Sequence, residues 1–186
     1  MPKIKYGLSQ VFYAKATIAT NGTATYGTPV AIPGAVNLTL DAESETEPFY
    51  ADNIVYYTSV SNNGYSGSLE VALIPDSFMA DIFGDVTGAN GLVYEKADVE
   101  PSHFALLFQF ENDSSSTRHV FYNCVATRPS VSSQTKEASI TPVTETMNIT
   151  ANSIYNSAVS ASIVKGKAAE ATTAYGTWYT AVVQPS

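Results

Sequence analysis

Apolar and polar positions alternate with a period of two over much of this chain, the signature of strands rather than helices. From Tyr6 to Ala14, Gln10, Phe12 and Ala14 alternate with Val11, Tyr13 and Lys15, predicting a first strand. Thr20 to Pro33 is dense in Thr, Gly, Asn and Pro and predicts a loop or short hairpin. The next strand opens at Gly34. Val36, Leu38 and Leu40 begin one of its faces, while Asp41, Glu43, Glu45 and Glu47 recur at every second position on the other. Asp52 and Asn53 tolerate positive φ and suit a tight hairpin turn, which folds Ile54 to Val60 back on Glu47 to Ala51. Ser61 to Gly64 reads as a second turn, and Tyr65 to Leu73 as a strand with Leu69, Val71 and Leu73 on one face.

One stretch changes period. Pro75 to Phe83 predicts a short helix: Asp76 or Ser77 caps it, Phe78, Ile82 and Met79 form an apolar stripe, and Gly84 stops it. Two turns of helix are not stable alone, so it must pack on the sheet. Gly91 to Lys96 predicts a short strand. His103 to Arg128 predicts a hairpin around the polar turn Asn112 to Ser116, with both faces of Phe104 to Phe110 apolar and hence buried on two sides. Symmetric pairing sets Phe104 near Cys124, Leu106 near Tyr122, Phe108 near Val120 and His119 opposite Gln109. Ser139 to Ala151 carries a further strand signal. Ser153 to Thr173 reads as a loop or weak helix, and Tyr175 to Val183 as a final strand. With no internal repeat or clean boundary, the expectation is one mainly β domain over residues 1–186, a sandwich or barrel with one short flanking helix, in which 153–186 is the less regular segment.

Charge narrows the function. Nine basic residues against seventeen acidic give a net charge of -8, which argues against holding nucleic acid by neutralising phosphates. Charged residues are 14% of the chain, below the ~25% of an ordinary soluble domain. With twelve tyrosines, this points to a surface much of which ends in contact with something. The single cysteine, Cys124, excludes an internal disulfide. The start, Met1 to Gly7, lacks the apolar run of a secretory signal, and no stretch approaches the ~20 apolar residues of a membrane span. The expectation is synthesis in the cytoplasm and no membrane partner. The sequons at Asn21, Asn37, Asn112 and Asn148 are discounted for the same reason.

No catalytic, cofactor or metal site assembles from these residues. His103 and His119 are too far apart along the hairpin to share a metal, and zinc needs more Cys and His than are present. Cys124 reads as a buried thiol. Gly64-Tyr65-Ser66-Gly67-Ser68 has serine where the hydrolase elbow requires glycine. Gly84 to Gly91 is not a GxGxxG fingerprint and precedes a strand. The carboxylates at 41, 43, 45 and 47 admit three readings: a solvated edge strand that discourages pairing, a calcium site, or a wall facing a polyanion. A flat column does not make the oxygen cage that calcium needs. The other two readings stay open.

The order of several short patterns, Glu47-Pro-Phe-Tyr-Ala-Asp-Asn53, Asn63 to Phe78, Ile82-Phe-Gly-Asp85, Phe104 to Phe108, and Val120-Phe-Tyr-Asn-Cys124 followed by Arg128-Pro129, resembles the major tail proteins, or tail tube proteins, of long-tailed siphophages of Gram-positive hosts. The resemblance covers Tyr6 to Asn148, and the chain departs from it after Ser153. It implies a tail-tube-like β-sandwich or barrel protomer that is not an enzyme and needs no cofactor. Copies would form hexameric rings stacked into a tube in the virion tail, beside other tail proteins such as the tape measure and terminator. The DNA genome would pass through without specific binding. Asp41, Glu43, Glu45 and Glu47 then become candidate lumen-facing residues, and Phe49, Tyr50, Asp52, Asn53, Tyr56 and Tyr57 a candidate inter-subunit hairpin. The alternative is a β-sandwich carbohydrate-binding or adhesion module, against which stand the missing export signal and the lone Trp178.

Overall fold

The computed structural model describes residues 7–111, 116–133, 135 and 143–186. In chain order come β1 (Leu8–Ile18), β2 (Ala24–Tyr26), β3 (Val30–Ala31), β4 (Ala35–Ala51), β5 (Ile54–Val71), helix α1 (Asp76–Phe83), β6 (Val86–Thr87) and β7 (Val93–Tyr94). Then follow β8 (Phe104–Phe110), β9 (Arg118–Ala126), β10 (Glu145–Asn152), β11 (Ile154–Asn156), β12 (Ala161–Ile163), β13 (Lys165–Ala168) and a 3-10 turn at Thr173–Thr177. Among the described residues the main sheet runs β2-β1-β8-β9-β10-β5-β4, with β3 also on β1 and β13 also on β9. Every pairing is antiparallel. The sheet curls until the start of β4 lies beside β1, with Ile32 N–H donating to the Val11 carbonyl and Ala72 N–H to that of Gly34. The architecture is mainly β with one flanking helix, as expected.

Both faces of the central strands are buried, for the reason visible in their composition: alternate side chains enter two different cores. Val11 and Tyr13 of β1 and Phe104, Leu106 and Phe108 of β8 join Leu69, Val71 and the helix residues Phe78, Ile82 and Phe83 in one cluster. Ala14, Ala105, Leu107, Val120 and Tyr122 join Trp178 in the other, which Tyr179, Val182 and Val183 border. Helix α1 thus covers one face and the C-terminal segment covers the opposite one. Arg128 ties the helix exit down, pairing with Asp85 at 3.0 Å and Glu95 at 2.9 Å and donating to the Phe83 carbonyl.

Several expectations are corrected. Ser61 to Gly64 is not a turn: β5 runs unbroken from Ile54 to Val71, and Gly64, at φ 94°, forms a bulge opposite β4. The polar Asn-Asn-Gly run signals a turn locally, but pairing with β4 keeps the strand extended. Val36 is an extra residue in the β4 register and is exposed, so Ala35, not Val36, packs with Leu38 and Leu40 against the core. Leu73 lies past the end of β5 and is exposed. Helix α1 has no side-chain cap: Pro75 is its N-cap and Asp76 lies in the first turn, whereas Gly84 does stop it at φ 72°.

In the β8–β9 hairpin, Phe104 pairs with Cys124 as expected, but Leu106 then meets Phe121 and Phe108 meets His119, because β9 carries one extra residue. The Ser153 to Thr173 stretch is neither loop nor helix alone; it holds β11, β12 and β13. Tyr175 to Val183 is not a strand. Trp178 is buried there and the Arg118 guanidinium stacks on Tyr175 at 3.6 Å, so side-chain anchoring replaces a backbone ladder. The expected Tyr6 start of the first strand, most of the Asn112 to Ser116 turn, and residues 139–142 of the Ser139 strand lie outside the described residues.

Buried tyrosines of both cores make a pH prediction. Burial pushes the phenols of Tyr122 and Tyr179 up to about 12, and that of Tyr13, which donates to Asp81 at 2.8 Å, to about 12 as well. Unfolded tyrosine titrates near ~10. The folded state therefore holds these protons longer, and its stability is complete below ~10 and declines as pH rises toward 12. Urea midpoints should fall steadily across that window; a midpoint constant through it would contradict the burial of these hydroxyls.

Candidate assembly interface

Beyond Ala42 and Tyr65, β4 and β5 leave the body of the sheet. The β10 strand pairs with β5 only from Val71 to Tyr65, and from there on β4 and β5 pair with each other alone among the described residues. The result is a two-stranded ribbon, ~30 Å long at ~3.3 Å per residue. It closes on Asp52 and Asn53, at φ 51° and 60°, the type I′ geometry that their side chains favour. Both faces of this ribbon are exposed. Phe49 is 60% and Tyr56 72% accessible, and Tyr50, Ile54, Val55, Tyr57 and Val60 are exposed with them. Apolar surface this continuous is uncommon on a single chain.

The acidic column keeps its phase. From Asn37 to Ala51 every irregularity in the pairing adds a residue to β5, not β4, so Asp41, Glu43, Glu45 and Glu47 stay on one face of the strand. That face is opposite to Leu38 and Leu40, which pack inward. The Ser66 hydroxyl donates to Glu43 Oε1, and Ser66 pairs with Asp41, placing both strands' side chains on the acidic side. All four carboxylates are exposed, on the edge strand of the sheet. Between Asp41 and Asn63 the ribbon carries five carboxylates, counting Asp52, and no Lys or Arg.

Residues weighed for chemistry lie apart from this ribbon. His103 Nδ1 is 2.7 Å from Asn123 Oδ1, His119 stacks on Phe108 at 5.3 Å, and burial pushes the Cys124 thiol up. Among the described residues no group of three or more His, Cys, Asp or Glu is placed to hold a metal ion. No described helix is long and apolar enough to cross a membrane. Ile54, Val55 and Val60, which the sequence reading did not name among the candidate residues, are exposed apolar surface beside them. That reading also missed Gly64 and Gly67, where a Cβ would sit 2.2 Å from the Ala151 carbonyl oxygen and 1.9 Å from that of Thr39. Close backbone approach fixes the root of the ribbon there.

No match is found among curated proteins. The family model of the phage tail tube protein matches residues 2–186, running past Ser153 through the segment that covers the second core. It leaves the adhesion alternative without support. The match covers nearly the whole chain: this chain belongs to the phage tail tube protein family, as a structural protein of the virion tail that assembles with its own copies and other tail proteins into the tube.

Proposed function

We propose that the copies close into hexameric rings that stack, with the ribbon end from Phe49 to Tyr57 locking one subunit to the next and Asp41, Glu43, Glu45 and Glu47 lining the lumen. The observation that supports this is the division of one exposed ribbon into an acidic column near its root and an aromatic end. A basic lumen would bind DNA through released counterions and stall it; a carboxylate wall repels the phosphates and lets the genome slide without specific binding. The chain works as one tail-tube domain without catalysis, in which residues 153–186 are the outer cover. It is made in the host cytoplasm and meets tail partners such as the tape measure and terminator proteins, with no membrane contact.

Reversing charge at Glu43 and Glu45, with lysine at both, tests the lumen assignment. Tubes should form normally, since these side chains stand clear of the core, while genome delivery by the reconstituted phage falls by at least about tenfold. Full infectivity from tubes carrying both lysines would place the column elsewhere.

A further inference from the structure

The sheet forks where the ribbon leaves it. On one branch β5 continues outward; on the other, β13 takes over the edge of β9, pairing Lys165 with Phe121 and Lys167 with His119. Between the branches lies a groove of about 500 Å³, within the size range of binding pockets. Leu40, Tyr65, Phe110, Phe121, Lys165 and Lys167 are among the residues that line it. The Lys165 ammonium sits 4.5 Å from the Tyr65 ring centroid. Gly166 brings β13 in close, because a Cβ there would meet the Tyr122 hydroxyl at 2.5 Å. Two lysines beside aromatic surface stand out on a chain with nine basic residues and a net charge of -8.

We infer that this groove receives the ribbon tip of a second copy of the chain. The tip, Phe49 to Tyr57, is the complement of the groove in both respects: Phe49, Tyr50, Tyr56 and Tyr57 supply apolar rings, and Asp52 supplies the only charge. The chain's own tip does not fill it, since Phe49, Tyr50, Tyr56 and Tyr57 are exposed. The contact joins two different surfaces, so each copy gives one tip and accepts one. Such a heterologous interface propagates into rings or filaments rather than stopping at a dimer. The carboxylates nearer the root, Asp41, Glu43, Glu45 and Glu47, remain outside the groove. The inference rests on the reading of the ribbon as the inter-subunit element and adds its receiving surface.

Disulfide trapping tests it. The native Cys124 is fully buried and silent, so a chain carrying Val55→Cys and Lys167→Cys, both at exposed positions and sparing the aromatic rings, reports one contact. Oxidised tubes should give a ladder of linked copies on a non-reducing gel. In parallel, Lys165→Glu with Lys167→Glu should raise the concentration needed for tubes by about tenfold. Adding Asp52→Asn to the same chain, which keeps the turn chemistry and removes the carboxylate facing the reversed charges, should restore part of it. Tubes that form at the usual concentration with both lysines reversed, or that give no ladder, overturn the inference and leave the groove to another tail protein. Loss of assembly that the compensating change does not restore even in part overturns it too. If the ribbon reading itself is wrong, a chain with a shortened ribbon still makes tubes, an outcome separate from all of these.

Discussion

Cut back to Thr46 and Val60 and closed by Asn-Gly, the ribbon should leave a folded protomer that makes no tubes. Thr46 and Val60 are paired, so a two-residue turn joins them without changing register. Residues 47–59 are exposed on both faces and belong to neither core, so thermal unfolding should shift by only a few degrees at most. Assembly should be far more sensitive. Aromatic anchors at the centre of an interface contribute about 2 kcal/mol or more each, and losing even two of the four raises the concentration required by about 1,000-fold. Sedimentation velocity should show monomers at concentrations where the parent forms tubes. Tubes of normal length from the shortened chain would sink the inter-subunit reading of Phe49, Tyr50, Tyr56 and Tyr57.

The second large effect is at the root. Gly67→Ala should cost about 3 kcal/mol, lowering the melting temperature by about 10 °C. Gly67 pairs with Leu40 on one side and Ile149 on the other, so its backbone cannot retreat from the Thr39 carbonyl that the new Cβ would strike. Gly176→Ala is the control, since nothing lies within 4 Å of a Cβ there. Equal melting of the two variants would show that the close approach of β4 to β5 is not what holds the ribbon's base. With the strands forced apart, the ribbon should also leave the sheet at a different angle and assemble poorly even below the melting temperature.

Local patterns in the chain carried a good part of this. Phe104 to Phe110 is apolar on both faces because β8 divides its side chains between two cores, and composition alone is enough to see that. Asp52 and Asn53 turn the ribbon with the positive φ their side chains tolerate. The Asp41 to Glu47 spacing puts four carboxylates on one face wherever the strand goes. Harder to read was the Asn62-Asn63-Gly64 run. The same residues that make a turn between two short strands make a bulge inside a long one, and which of the two forms depends on what β4 offers as a partner.

By itself, then, the sequence determined the period of β4 and β8, the hairpin turn, the helix stop at Gly84 and the acidity of the ribbon, because each depends on φ preferences and side-chain spacing within a few residues. Only the tertiary structure decided the register of β9, the length of β5, the C-terminal segment's place over Tyr122 and Val120, and the groove beside Lys165 and Lys167. Those features arise from pairing between residues far apart in the chain. There one added residue in a strand shifts every later partner, and a segment of weak local preference settles where it covers the most apolar surface.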